Sequence, residues 1–107
     1  MSTLQAIVAR CERDLAAVAT SRDEGDALAD APGAEPDAAF AWRVLVVRGA
    51  IGHAPDDVRE LYGALVDRYR DDPARLATLR PLGDEIRARE SRGELPSTLV
   101  ARSDRKR

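Results

Sequence analysis

Residues 36–53 read Pro-Asp-Ala-Ala-Phe-Ala-Trp-Arg-Val-Leu-Val-Val-Arg-Gly-Ala-Ile-Gly-His, with Asp37, Arg43, Arg48 and His53 the only ionisable side chains in the run. A segment so apolar nearly all round must be covered on most sides, which makes it either the centre of a bundle or part of an interface. Two conformations compete for it. As a helix, Phe40, Val44, Val47 and Ile51 form one seam, and Ala41 and Leu45 widen it. As a strand, residues 42–48 are β-branched enough to qualify. Pro36 suits a first helical position, and the alanines that follow are strong helix formers. A strand would also need a partner, which only residues 97–101 could supply. The segment is therefore predicted to be helical.

The flanking segments point the same way. Leu4, Ile7, Val8, Cys11, Leu15 and Val18 recur at steps of three and four, predicting a helix over 3–20. Ser2 followed by Gln5 has the spacing of a capping box. Pro55, Asp56 and Asp57 open a second clear pattern, in which Val58, Leu61, Tyr62, Leu65, Val66 and Tyr69 share a face. Asp72 and Pro73 read as N-cap and first residue of a further helix carrying Leu76, Leu79, Leu82 and Ile86. Pro81 is expected to kink or split that helix, and Gly93 to stop it. Between these, Asp23, Glu24, Asp26, Asp30, Glu35 and Asp37 are six acids with no base among them from 23 to 37, interrupted by Gly25, Pro32 and Gly33. Residues 21–37 are thus expected to form a mobile acidic loop.

The fold expected is all-α: a small bundle of four to five short helices in a single domain over 1–93, with a basic C-terminal tail over 94–107. Only 4% of the 107 residues are aromatic while alanine occurs nineteen times, which suits close helix packing. No run of about 18 apolar residues suggests a membrane span. The opening Met1–Gln5 lacks the basic and apolar regions of a secretory signal, pointing to a cytoplasmic protein. Sixteen arginines against one lysine look like the codon bias of a high-GC bacterial genome. An arginine surplus of that origin is weak evidence for phosphate binding.

Little in the chain has the pattern of catalytic chemistry. His53 is the sole imidazole, and a general base there would need a nucleophile or carboxylate within reach. Cys11 lies on the apolar stripe of the first helix, the setting of a core residue. Neither GxGxxG nor GxxxxGK[ST] occurs, and no His, Cys and carboxylate group has metal-ligand spacing, so no cofactor or metal is expected.

Partner contacts are the alternative. Arg43 and Arg48 interrupt the apolar helix, either laying their stems over the core or pairing with carboxylates. The acidic 23–37 segment is one candidate partner for them. Leu95, Leu99 and Val100 are three aliphatics in a short polar tail, suited to dock on the bundle or on another chain. Arg102 and Arg105, with Lys106 and Arg107, form a basic end that could contact phosphate. A formal charge of −2 and the acids at Asp71, Asp72, Glu85 and Glu90 weigh against nucleic acid. The function expected is that of a non-enzymatic bacterial accessory protein (an adaptor, regulatory subunit or inhibitor) docking on a larger protein or on its own kind. A nucleic-acid regulator such as an antitoxin or repressor is the alternative.

Overall fold

Thr3 opens the first helix because its hydroxyl accepts from the Ala6 N–H at 3.2 Å, satisfying one of the donors a helix start leaves free. In this computed structural model residues 3–95 are described, and they form five α-helices with no strand among them. The helices are α1 (Leu4–Arg13), α2 (Ala17–Asp30), α3 (Pro36–His53), α4 (Val58–Arg68) and α5 (Pro73–Ser91). A 3-10 turn, Pro55–Asp57, precedes α4. The chain groups into two compact units, Met1–His53 and Ala54–Arg107.

In the first unit α3 packs against both α1 and α2, which also pack on each other. Glu35 caps α3: its carboxylate accepts from the Asp37 and Ala38 N–H groups at 3.2 and 2.8 Å, and Pro36 takes the first helical position. The helix expected over 36–53 forms over its whole length. Its buried side is broader than the expected seam: Ala38, Ala39, Phe40, Trp42, Leu45, Val46, Val47 and Ala50 are buried, whereas Val44 and Ile51 are only half-buried.

Further expectations fail in this unit, beginning with the cap of α1, which is Thr3 rather than Ser2. The helix expected over 3–20 ends at Arg13, where Asp14 leaves helical geometry at φ −144° and ψ 96°. Asp14 then accepts from the Ala16 N–H at 3.1 Å, and Leu15 is left exposed. Short carboxylates compete for nearby backbone donors in this way, which breaks a stripe that periodicity alone would continue. The acidic segment 21–37 is not a mobile loop; α2 runs through it to Asp30, leaving residues 31–35 as the connection. The buried face of α2 is made of Val18, Ser21, Gly25 and Ala29, at helical spacing but mostly small. Its acids Asp23 and Glu24 are exposed.

In the second unit α4 and α5 pack as a pair. Val58, Leu65, Leu79, Leu82 and Ile86 are buried. Asp72 caps α5 as expected, accepting from the Arg75 N–H at 3.1 Å. Of the two outcomes expected at Pro81, a kink or a split, the split does not occur: α5 runs through it. A proline removes one backbone donor and crowds one turn, and the packing of Leu79, Leu82 and Ile86 on either side outweighs that cost.

The stop at Gly93 is as expected. Gly93 adopts φ +77°, its N–H donates to the Glu90 carbonyl at 3.1 Å, and the Glu94 N–H donates to the Arg89 carbonyl at 2.8 Å. That pair of bonds is a Schellman motif, and it needs a residue free to occupy the left-handed region. Gly93→Ala is expected to lower stability by about 1 kcal/mol, read as a lower denaturant midpoint. An unchanged midpoint would mean that the motif contributes nothing.

Candidate functional site

The polar side chains of the first unit mostly hold its helices together. Gly25 on α2 lies directly under the indole of Trp42, so close that a Cβ there would sit 2.3 Å from Cζ2. The indole Nε1–H donates to Asp26 Oδ1 at 2.8 Å, and Arg22 Nε donates to the other oxygen at 2.8 Å. Trp42 is fully buried, so this bond satisfies a donor that would otherwise be stranded in the core. Ser21, the buried polar residue of α2, accepts from Arg10 of α1.

Arg43 completes the set. Its Nη2 donates to the Ala29 carbonyl at 3.1 Å and to Asp30 Oδ1 at 2.8 Å. The last turn of α2 has no basic residue of its own and ends on Asp30, a poor charge for the negative end of a helix. The guanidinium from α3 supplies the missing positive charge and satisfies a terminal carbonyl. The acidic segment of the same chain is therefore the partner of Arg43. Arg48 is different: it is exposed and has no side-chain partner among the described residues.

In the second unit, too, arginines face carboxylates. Arg59 Nε and Nη2 donate to Glu90 at 3.1 and 2.8 Å, and the Glu90 side chain is only 9% exposed. Arg75 pairs with Asp72, Arg87 with Asp84, Arg89 with Glu85 and Glu94, and Arg92 with Glu94. The hydrogen bond from Arg92 lowers the pKa of Glu94, which favours the folded helix end above the ordinary carboxylate range and ceases to do so as pH falls through it. Both side chains are exposed, so the effect is small. Tyr62 donates to the Leu79 carbonyl at 3.2 Å, with its ring against Gly83.

The remaining candidates fall as follows. Leu95 is 5% exposed, covered by its own chain, and so has little surface to offer another. Leu99, Val100, Arg102 and Arg105 lie outside the described residues. Cys11 is fully buried in the core. His53 is the exposed last residue of α3. Among the described residues no three metal-binding side chains gather, and no helix is long and apolar enough to cross a membrane.

The arrangement that emerges is one strip along α3. Asp37, Ala41, Val44, Arg48 and Ile51 follow each other at steps of four, three, four and three, which places them on one face. Asp37 and Arg48 are exposed, and Ala41, Val44 and Ile51 are half-buried between and beyond them. Periodicity alone assigns Val44 and Ile51 to the core seam. Set against known protein families, curated proteins and solved structures, the chain matches none.

Proposed function

We propose that the chain is a non-enzymatic bacterial accessory protein, an adaptor, regulatory subunit or inhibitor, which docks on a larger protein through the α3 strip. The observation that carries this reading is Arg48, an exposed guanidinium without a partner among the described residues, standing between half-buried Val44 and Ile51. Arginine recurs at the energetic centres of interfaces, because its planar head pairs with carboxylates while its stem covers apolar surface. By contrast, Arg43 belongs to the fold, since its head is spent on α2.

The test is co-purification from host cells with the tagged chain. Arg48→Glu is expected to reduce the captured partner at least tenfold while the melting temperature stays nearly unchanged, as is usual for exposed substitutions. Retention of the same partner by the variant would remove the strip from the interface. A nucleic-acid regulator working through Arg102 and Arg105 would behave otherwise: Arg48→Glu would leave its complex intact, and salt would dissolve it steeply.

A further inference from the structure

We draw no further inference here: the strongest candidate, the surface strip of α3 around exposed Arg48 and half-buried Val44 and Ile51, belongs to the docking face already described, and nothing in the structure shows what covers it.

Discussion

Val47→Asp is expected to unfold the α1–α3 unit. Val47 is 1% exposed on the helix that both α1 and α2 cover. A carboxylate there loses its water, since Val47 belongs with Trp42, Val46 and Ala50 to the buried apolar positions of α3. Burying such a group without matched donors costs several kcal/mol whether it stays ionised or takes up a proton to avoid it. A unit of 53 residues has a total stability of about 3–8 kcal/mol at the usual 0.05–0.15 kcal/mol per residue. The substitution therefore removes most or all of it. Trp42, the one tryptophan, reports on this unit directly: it is fully buried when folded, so its emission is expected to move to the red in the variant at room temperature. Arg48→Asp, one position further on and exposed, introduces the same carboxylate on the water side and is expected to leave emission and melting curve nearly as they were. A Val47→Asp variant with wild-type emission and melting would show that α3 does not form the centre of this unit.

Those adjacent positions also show what a sequence of this kind discloses. The three helices with explicit start signals, Pro36 in α3, Pro55 before α4 and the Asp72-Pro73 pair of α5, are legible because capping and proline geometry act locally. Gly93 is legible for the same reason. What escapes is decided by tertiary packing. Helix α2 shows no large apolar stripe, because its buried positions are mostly small and Gly25 lies against the Trp42 indole of α3. The acids of residues 23–37, which by composition suggest a solvated loop, instead cap α3 through Glu35, anchor the indole through Asp26 and receive Arg43 through Asp30. Hydrogen bonds between residues about fifteen positions apart leave no period in the sequence. Of the two arginines singled out in α3, the alternative of an acidic partner in the same chain holds for Arg43, and only the three-dimensional arrangement separates it from Arg48. The strip to which Arg48 belongs is hidden for a further reason. In a segment apolar nearly all round, several seams fit a helical period equally well, and only its neighbours decide which one is buried.

Gly25→Ala tests the contact on which α2 depends. In most helices this change stabilises, since alanine is favoured over glycine by about 1 kcal/mol in a helix interior. Gly63, in the middle of α4 with nothing within 4 Å of where a methyl would stand, is expected to follow that rule and gain up to that amount. At Gly25 the added carbon would stand 2.3 to 2.6 Å from three atoms of the Trp42 ring, well inside contact distance. The ring has little freedom to retreat, being fully buried and tied to Asp26 by a 2.8 Å hydrogen bond. Overpacking a core in this way costs about 1–3 kcal/mol and occasionally more, and such deep overlap belongs at the upper end. The clash outweighs the propensity gain, and a net loss of about 2 kcal/mol is expected, a fall of roughly 10 °C in melting temperature for a unit this small. Trp42→Phe removes the part of the ring that the methyl would meet, at its own cost in buried surface and in the lost bond to Asp26. The double variant is therefore expected to be more stable than the two separate losses would give, with a coupling of about 1 kcal/mol or more. Strict additivity, or a Gly25→Ala variant as stable as the wild type, would mean that α2 does not hold Trp42 against its glycine. The same substitution would then act through propensity alone at Gly25 and Gly63, and the opposite signs expected at the two sites would not appear.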